Sequence, residues 1–538
     1  MCFLCSCRMM PMRPQARYPN LAVKFLIIPL LLWHSQSSKR MAELSGENFD
    51  LLVIGGGITG CGVARDAAMR GLKVVLIERD DFASGTSGRS SRLIHGGIRY
   101  LEQGQLHLVH ESIRERQTLL RIAPHLVKPL AFTWPIYRGA RVGKLKLSAG
   151  LLVYQLMAVG RSRKHSTLNA AETLAREPSL KSTGLTGGAV YYDASTDDAR
   201  LTVANAIAAR ELGATVVSHT RVTEMIRDAG KAVGAVARSR HTGESREFRA
   251  RVVVNATGVW QNTFDSGERA KRLHGSKGAH ISVPRERVGN RDALTLISPV
   301  DGRVMFCLPA GSQAIIGTTD TWTDESPETV HASVGDVDYL LRSANAYFPR
   351  AHLTEDDVVS AWAGIRPLAS GEAANPSAVS REHSILTDGS GVINVTGGKL
   401  TTYRSMAAEI VDHVQQALGL KRSAAPTDSV ELPGMDRQKE IDRLQREDLS
   451  LAKPLVEGLD YTGAHLVYGV SNEMAQTLSD LLIRRMHLAF ETRDHGKSAA
   501  ARAADIVAPL LGWNEQTKSA RIHEFEEDCA HMFAISKQ

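Results

Sequence analysis

A glycine-rich stretch near residue 55 constrains the fold more than any other feature of this 538-residue chain. The strand-like run FDLLVIGGGITG is followed by an apolar helical segment and by a second strand-like run, KVVLIERD. The glycines lie at Gly55, Gly57 and Gly60, and Glu78 closes the second run, 23 residues after Gly55. This order of strand, glycine turn, helix, strand and acid is typical of a dinucleotide-binding βαβ unit. It predicts a Rossmann-type domain.

Each of these residues has a physical role in such a unit. Gly55 permits a tight turn, Gly57 lets backbone N–H groups approach a pyrophosphate, and Gly60 allows close packing of the helix on the strand. The helix N-terminus presents its partial positive charge to phosphate. Glu78 would accept hydrogen bonds from an adenosine ribose. Because a glycine triplet alone is typical of an ordinary turn, the prediction depends on the complete order of elements.

Two later segments favour FAD over NAD as the dinucleotide. The strand RVVVNATGVW leads into a turn of small residues that includes Ala256 and Gly258. The run GVINVTGGKLTTYRSMAAEIV repeats the order of strand, glycine pair and helix, with Gly398, Lys399 and Leu400 at its turn. A helix that starts there can direct N–H groups at a flavin carbonyl, where negative charge accumulates on reduction. Three separated segments that meet on one cofactor suit the long FAD molecule.

The succession of motifs resembles one enzyme family closely. Between about Phe49 and Tyr403 the chain carries, in this order, GGGITGCGVARDAAMRG, FASGTSGRSSRLIHGGIRYLE, DDARLTVANA, VVNATGVW, SKGAHI, IIGTTD, GIRPL and TGGKLTTYR. The series is similar to FAD-dependent glycerol-3-phosphate dehydrogenase, a respiratory enzyme among the D-amino-acid-oxidase-like flavoproteins. SRLIHGGIRYLE and GGKLTTYR are specific to that family. The resemblance implies oxidation of sn-glycerol 3-phosphate to dihydroxyacetone phosphate by hydride transfer to FAD.

The resemblance also implies a set of site residues. The cofactor set comprises Gly55, Gly57, Gly60, Glu78, Thr86, Ser87, His95, Ala256, Gly258, Gly398, Lys399 and Leu400. The substrate set comprises Arg99, Tyr100, Thr318, Thr319, Arg366, Arg381 and Lys399. Arg99, Arg366 and Arg381 are the phosphate candidates, because several cations are needed to hold a dianion in a partly desolvated pocket. Lys399 is expected nearer the reacting hydroxyl.

The reaction also needs a proton acceptor. When a secondary alcohol loses hydride to a flavin, its hydroxyl proton must leave as well, so a base must lie beside that oxygen. His280, in the SKGAHI motif, is one candidate, and Lys399 and Arg366 are the alternatives. His95 is expected to pack against the flavin.

Length and composition agree with an enzyme of two or three domains. The apolar fraction of 43% and the charged fraction of 23% are ordinary globular usage. We predict an α/β (α+β) architecture in which a Rossmann-type FAD-binding domain and a β-rich substrate domain interleave over 41–422. A linker at 423–435 leads to a C-terminal helical domain at 436–538, where apolar residues recur at helical spacing.

The leader, residues 1–40, departs from the family pattern, in which the glycine-rich strand lies near the N-terminus. Its apolar run LAVKFLIIPLLLW is about 13 residues long and is interrupted by Lys24 and Pro29, whereas a membrane span needs roughly 20 apolar residues. Three interpretations stay open: a signal or transit-like segment, a small membrane anchor, or an upstream start codon chosen in error. We favour the last, with Met41 as the true beginning.

Charge and cysteine content narrow the partners and the compartment. The formal net charge is +7, but the leader holds six cations and no acid, so removing it leaves +1. This balance gives no support to a nucleic-acid partner. Cys61, Cys307 and Cys529 are scattered through the body without a spacing typical of disulfides or zinc. We therefore predict the cytoplasm and no metal site.

The route by which electrons leave the flavin stays open at this stage. Enzymes that the chain resembles mostly reduce a membrane quinone, whereas relatives of the same fold reduce oxygen to peroxide. A non-catalytic flavin-binding protein is a third alternative, and intact Arg99, Arg366 and Lys399 argue against it. We predict a ubiquinone- or menaquinone-linked enzyme, bound peripherally to the inner face of the cytoplasmic membrane, and leave room for a homodimer.

One internal segment favours this membrane location. The run YRGARVGKLKLSAGLLVYQLMAVGRSRKH, from Tyr137, has an apolar centre between two basic flanks. These flanks contain Arg138, Arg141, Lys144, Lys146, Arg161, Arg163 and Lys164. Such a centre can enter the lipid interface while the cations meet anionic headgroups. The alternative is a core helix with charged ends. We expect attachment to depend on 144–164 and not on the leader.

Overall fold

The structure is a computed structural model that describes residues 47–102, 104–157, 164–263, 275–367 and 382–537. The leader lies outside these ranges, as do Arg381, Arg161 and Arg163, so the predictions on them stay predictions. Two large sheets and a C-terminal group of helices account for the described residues.

The first sheet has eight strands and contains the predicted βαβ unit. Strand Asn48–Ile54 is central and pairs in parallel with Val74–Ile77 and with Ser245–Asn255. Helix Ile58–Met69 connects Asn48–Ile54 to Val74–Ile77. Helices cover one face of the central strands, and the antiparallel strands Thr220–Asp228 and Lys231–Ser239 cover the other, so Val74–Ile77 is buried throughout. The other strands are Thr215–Val217, Thr220–Asp228, Lys231–Ser239, Ser384–Thr387 and Ile393–Thr396.

The second sheet has ten strands and is mostly antiparallel. Its strands are Leu93–Ile94, Val127–Tyr137, Ser166–Asn169, Leu185–Thr196, Gly275–Pro284, Ala293–Ile297, Val304–Ala310, Gln313–Gly317, Thr321–Thr323 and Ser360–Pro367. The runs RVMFCLPA and QAIIGTTD, which the sequence predicts as neighbours, pair with each other. Strand Gly275–Pro284 lies between two partners, so that His280 is opposite Gly317 on one side and Trp362 on the other.

Helices pack around the sheets and form the C-terminal region. Within the described ranges, the α-helices before residue 420 are Ile58–Met69, Arg99–Glu102, Leu106–Ile122, Lys144–Met157, Ala170–Arg176, Asp198–Glu211, Arg285–Val288, Val334–Asn345 and Tyr403–Ala417. The C-terminal helices are Arg437–Glu447, Gly463–Asn472, Leu488–Glu491, Lys497–Leu511 and Glu515–Met532, and a short sheet joins Ile535–Ser536 to Ala332–Ser333. The predicted fold class is confirmed. The domain boundaries at 41–422, 423–435 and 436–538 stay predictions.

One C-terminal run differs from the regular helix that its spacing predicts. The run MAQTLSDLLIRRMHLAF forms a π-helical turn over Asp480–Arg485 and then a separate short helix. The turn brings two guanidinium groups to the carboxylate of Asp81, with Arg484 at 2.6 Å and Arg485 at 2.7 and 2.8 Å. Since Asp81 and Arg485 are buried, removing either partner would cost about 3–5 kcal/mol. This ion pair fixes the C-terminal helices to the first sheet.

Candidate active site

A cavity of 860 Å³ is lined by residues of both sheets. Ligand sites typically have volumes of roughly 300–1,000 Å³. Ile54 and Ile77, the last residues of two parallel strands, lie at its wall, which is where doubly wound sheets bind ligands. The predicted site residues that line it are Gly55, Gly57, Glu78, Thr86, Ser87, His95, Tyr100, Ala256, Gly258, His280, Thr318, Arg366, Gly398, Lys399 and Leu400.

The three glycines of the first turn are required for different reasons. Gly55 has φ +107°, and a Cβ there would lie 2.6 Å from the carbonyl oxygen of Ala256. A Cβ on Gly60 would lie 1.9 Å from the carbonyl oxygen of Gly55, because the helix packs directly on the strand. At Gly57 a Cβ would meet only Ser87 Oγ, at 3.2 Å. Packing within the protein therefore requires glycine at Gly55 and Gly60, whereas the missing side chain at Gly57 leaves space in the cavity.

The acid at the end of the second strand is held beside this turn. Glu78 accepts hydrogen bonds from the N–H of Gly56 at 2.5 Å and from the N–H of Asp80 at 2.8 Å. Burial raises the pKa of Glu78 to about 7, although both N–H donors favour the charged form. Each carboxylate oxygen can accept a further hydrogen bond. Its predicted role in binding a ribose stays a prediction.

The loop after the second strand ties the two sheets together. Ser87 Oγ accepts a hydrogen bond from the N–H of Ile58 at 2.9 Å and so satisfies one free donor at the start of the glycine helix. Thr86 Oγ1 donates to the carbonyl oxygen of Ile365 at 2.7 Å. The two predicted cofactor residues thus line the cavity beside the glycine turn.

A cluster of Arg79, Trp260 and Glu328 lies beside the cavity, and the sequence did not predict it. The guanidinium of Arg79 lies 4.7 Å from the ring centroid of Trp260. Glu328 accepts from Trp260 Nε1 at 2.6 Å and from Arg79 Nη1 at 3.1 Å. Arg79 and Glu328 are 249 residues apart, and no local spacing in the chain relates them.

The second glycine turn has the predicted order of strand, glycine pair and helix. Gly398 has φ +96°, which an L side chain rarely adopts. The ammonium of Lys399 lies 4.1 Å from the ring centroid of Tyr100, within cation–π range. The N–H of His95 donates to Thr401 Oγ1 at 3.2 Å. The HGGIRY and GGKLTTYR motifs are therefore adjacent at the cavity wall.

The GIRPL and IIGTTD motifs also meet there. Arg366 donates from Nη1 to Asp320 Oδ1 and from Nη2 to Thr318 Oγ1, each at 3.1 Å. Thr319, in contrast, is not one of the residues that line the cavity. Its Oγ1 accepts from the N–H of Ala279 at 2.9 Å, since successive side chains of an extended segment point in opposite directions. Its predicted role in substrate binding gains no support from this position.

His280 lies at the same wall in a buried, positively charged environment. Its Nε2 is 2.8 Å from Ser91 Oγ, and its ring stacks on Trp362 with centroids 5.4 Å apart. Burial, followed by the charges of Arg366 and Arg92, lowers the pKa of His280 to about 3. The imidazole is therefore neutral at neutral pH and able to accept a proton. The sequence did not indicate Ser91 or Trp362.

The structure does not test two of the phosphate candidates, Arg99 and Arg381. Arg99 begins the short helix Arg99–Glu102, which also carries Tyr100. Arg381 lies outside the described residues. Their part in holding phosphate stays a prediction.

Similarity to known proteins extends over most of the chain. Residues 50–404 match the family described as FAD dependent oxidoreductase, and residues 434–518 match the C-terminal domain of alpha-glycerophosphate oxidase. Glycerol-3-phosphate dehydrogenase 2 of Mycobacterium tuberculosis (strain ATCC 25618 / H37Rv) is 38% identical over 520 residues, which cover 89% of this chain and 88% of the relative. Aerobic glycerol-3-phosphate dehydrogenase of Bacillus subtilis (strain 168) is 33% identical over 530 residues, with coverages of 90% and 95%.

A solved structure gives the same relationship in three dimensions. The glycerol-3-phosphate dehydrogenase from Bacillus halodurans, complexed with FAD, superposes with a TM-score of 0.75 at 32% identity and covers 94% of this chain and 99% of that chain. The geometry of the cavity fits such a cofactor, since Gly57 leaves space at a helix N-terminus and the Glu78 carboxylate is held beside the same turn.

Proposed function

The chain belongs to the family of FAD-dependent glycerol-3-phosphate dehydrogenases, and from this premise we propose that its electrons pass from the flavin to a membrane quinone, ubiquinone or menaquinone. The enzyme oxidises sn-glycerol 3-phosphate to dihydroxyacetone phosphate with FAD as cofactor. The observation that supports its chemistry best is that one cavity joins the dinucleotide turn to Arg366, His280 and Lys399. A homodimer at the cytoplasmic membrane stays a prediction.

The cofactor would be held by both glycine turns. The N-terminus of helix Ile58–Met69, beside Gly57, would bind the pyrophosphate, and Glu78 would bind the ribose. The turn at Gly398 would lie against the flavin, with its N–H groups toward a ring carbonyl. When bound, FAD supplies the acceptor for the hydride that leaves C2 of the substrate.

The substrate phosphate would be bound by arginines. Arg366 is oriented by Asp320 and Thr318, so little conformational freedom is lost when it binds an anion. Arg99 and Arg381 are the further phosphate candidates. Lys399, held over the Tyr100 ring, would lie nearer the reacting hydroxyl.

His280 would accept the hydroxyl proton. It is neutral and lies at the cavity wall, so it can accept a proton, but its pKa of about 3 lies well below the working pH that suits a general base. The charge of Arg366 is one cause of its low pKa. A dianionic phosphate beside Arg366 offsets that charge and raises the pKa of His280, so substrate binding would make this base stronger.

The choice of electron acceptor can be tested with the flavin's own absorbance. We expect glycerol 3-phosphate to bleach the flavin under anaerobic conditions, because hydride transfer needs no other reactant. A soluble quinone analogue added afterwards should restore the absorbance much faster than air-saturated buffer does. Stopped-flow spectroscopy measures both rates, and glycerol without phosphate is the control substrate.

The alternative acceptor predicts a different outcome in the same experiment. If oxygen restores the absorbance as fast as the quinone and one peroxide forms per substrate oxidised, the enzyme is an oxidase. Failure of glycerol 3-phosphate to bleach the flavin would contradict the substrate assignment itself.

The helix Lys144–Met157 supports a location at the membrane. No described helix is long and apolar enough to cross a bilayer, but this one has two apolar faces. The inner face, with Leu147, Leu151 and Tyr154, is buried in the core. On the outer face the side chains of Leu145, Leu152, Val153 and Leu156 are exposed, Leu145 to 86% and Leu156 to 71%. We call this outer face, with the adjoining Lys144 and Lys146, the leucine face.

The inner side of the same helix contacts the cavity wall. Tyr154 donates to Asp193 Oδ1 at 2.6 Å, and the N–H of Gly96 donates to the same oxygen at 3.1 Å. Gly96 belongs to the HGGIRY motif, and Asp193 lines the cavity. A quinone that arrives at the leucine face would therefore be one buried layer away from the flavin site. The interpretation as a core helix fits the inner face of this segment, and the interpretation as an interfacial helix concerns its outer face.

We expect the triple variant Leu145→Gln, Leu152→Gln, Leu156→Gln to lose membrane attachment. Burying one leucine side chain contributes about 1.5 kcal/mol or more, so removal of three should lower vesicle affinity by roughly 1,000-fold or more. A flotation assay with anionic vesicles measures this affinity on the full chain and on the chain that starts at Met41. FAD content shows whether each variant folds.

A matched control removes equally exposed leucines elsewhere. The variant Leu212→Gln, Leu386→Gln, Leu449→Gln changes three exposed residues outside the leucine face and is expected to float like the parent. If the full chain floats and the Met41 chain does not, the leader is the anchor and the leucine face is not.

A further inference from the structure

The imidazole of His280 is held on two sides by its partners in the sheet. Trp362, directly opposite in one neighbouring strand, stacks on one ring face with an interplanar angle of 12°. Gly317, opposite in the other strand, packs against one edge, because a Cβ there would lie 2.3 Å from His280 Cδ2. These contacts leave the ring little freedom to rotate about χ2.

The two ring nitrogens have different surroundings. Nε2 lies 2.8 Å from Ser91 Oγ. Nδ1 has no hydrogen-bond partner in the described part of the chain, although the residue is only 3% exposed and lines the cavity. Since buried polar atoms in native proteins nearly always have a partner, Nδ1 is the atom for which a ligand would supply one.

Ser91 is held in turn by the residue before it. The N–H and the hydroxyl of Ser90 donate to Asp198 Oδ2 at 3.0 and 2.6 Å. Ser90 Oγ accepts from the N–H of Arg92 at 3.0 Å. Asp198 is buried at the start of helix Asp198–Glu211. The buried carboxylate of Asp198 therefore fixes the segment that presents Ser91 to His280 onto helix Asp198–Glu211.

We propose that Ser91 is a positioning residue, whose Oγ accepts the Nε2–H of His280 and so leaves the Nδ1 lone pair to take the substrate's hydroxyl proton. In the neutral ring one nitrogen carries the proton and the other accepts. A hydroxyl can donate or accept, and Ser91 Oγ is assigned the accepting role at Nε2 in this proposal. C2 of the substrate loses its hydride to FAD, its hydroxyl proton goes to Nδ1, and the C2–O bond becomes the ketone. The imidazolium keeps its Nε2–H bond to Ser91 throughout.

This proposal rests on the proposed role of His280 as the proton acceptor. In Ser91→Ala the ring can adopt either tautomer, so part of the population presents an N–H instead of a lone pair to the substrate. Because a general base contributes roughly 100- to 10,000-fold to a rate, we expect flavin bleaching at saturating substrate to slow by about 10- to 100-fold. The Kd for glycerol 3-phosphate should change by less than about twofold, since the phosphate contacts are untouched.

The experiment is anaerobic stopped-flow reduction of the FAD-loaded enzyme over a range of substrate concentrations. Ser91→Thr keeps the hydroxyl and is expected to restore most of the lost rate. Ser282→Ala is the control, because it removes a hydroxyl from the same strand as His280. Ser282 Oγ lies 2.8 Å from Ser360 Oγ, and Ser282 does not line the cavity. The flavin of this variant should bleach at the parental rate.

The outcomes separate this inference from the function on which it rests. If His280→Gln bleaches at the parental rate, His280 is not the proton acceptor and both assignments fail. If His280→Gln is slow but Ser91→Ala is not, only the positioning role fails. A loss confined to the Kd in Ser91→Ala, or an equal loss in Ser91→Ala and Ser91→Thr, would also overturn the positioning role.

Discussion

Arg366→Ala is expected to raise the KM for glycerol 3-phosphate by about 10- to 150-fold, because a charge-assisted hydrogen bond to an anion contributes roughly 1.5–3 kcal/mol. The FAD content should stay that of the parent, since Arg366 lies on a strand of the second sheet and donates to Asp320 and Thr318, whereas both glycine turns belong to the first sheet. Steady-state rates with a quinone analogue give KM, and absorbance of the purified protein gives the flavin content.

A charge-conserving variant tells whether the arginine acts through its charge or its shape. Arg366→Lys keeps the cation but loses the planar fork that binds phosphate at two points, so an intermediate KM is expected. Equal activity of the parent enzyme on glycerol and on glycerol 3-phosphate would contradict a phosphate site altogether.

Gly57→Val is expected to yield protein with little bound FAD and a lower thermal midpoint. The added Cβ would contact only Ser87 Oγ within the protein, so the side chain would occupy the space that the pyrophosphate needs. A cofactor at about 100 times its Kd stabilises the native state by roughly 2.7 kcal/mol, and this stabilisation is lost with the cofactor. Absorbance and a thermal melt, each with and without added FAD, measure both effects.

Two other glycines serve as controls for this variant. Gly335→Val places the same side chain in the first turn of helix Val334–Asn345, where the nearest neighbour of a Cβ is Ser333 Oγ at 3.7 Å, and should bind FAD normally. Gly60→Ala should fail to fold, because its Cβ would lie 1.9 Å from the Gly55 carbonyl oxygen. A stoichiometric flavoprotein from Gly57→Val would show that the pyrophosphate binds elsewhere.

Local sequence was sufficient wherever the constraint was itself local. The tight turn at Gly55 and the close packing at Gly60 follow from the spacing within one βαβ unit, and the structure has both. The strand and glycine pair before Lys399 follow from the same kind of local spacing. Resemblance to a family added the remaining site residues, and 15 of all the predicted site residues line one cavity.

Other features depend on residues far apart in the chain. The neighbours Thr318 and Thr319 were treated alike, yet one lines the cavity and the other bonds within the sheet. The π-helical turn at Asp480–Arg485 occurs where Arg484 and Arg485 meet Asp81, about 400 residues earlier. The helix Lys144–Met157 has a buried and an exposed apolar face, and its composition does not distinguish them.

The sequence by itself determined the dinucleotide unit, the fold class and the family, because these depend on spacing, periodicity and the order of motifs. Only the tertiary structure decided which nitrogen of His280 contacts Ser91, which threonine lines the cavity and which leucines are exposed. The physical reason is that a hydrogen bond over 189 residues, or the burial of one helix face, arises when separate elements pack, and neither has a counterpart in local spacing.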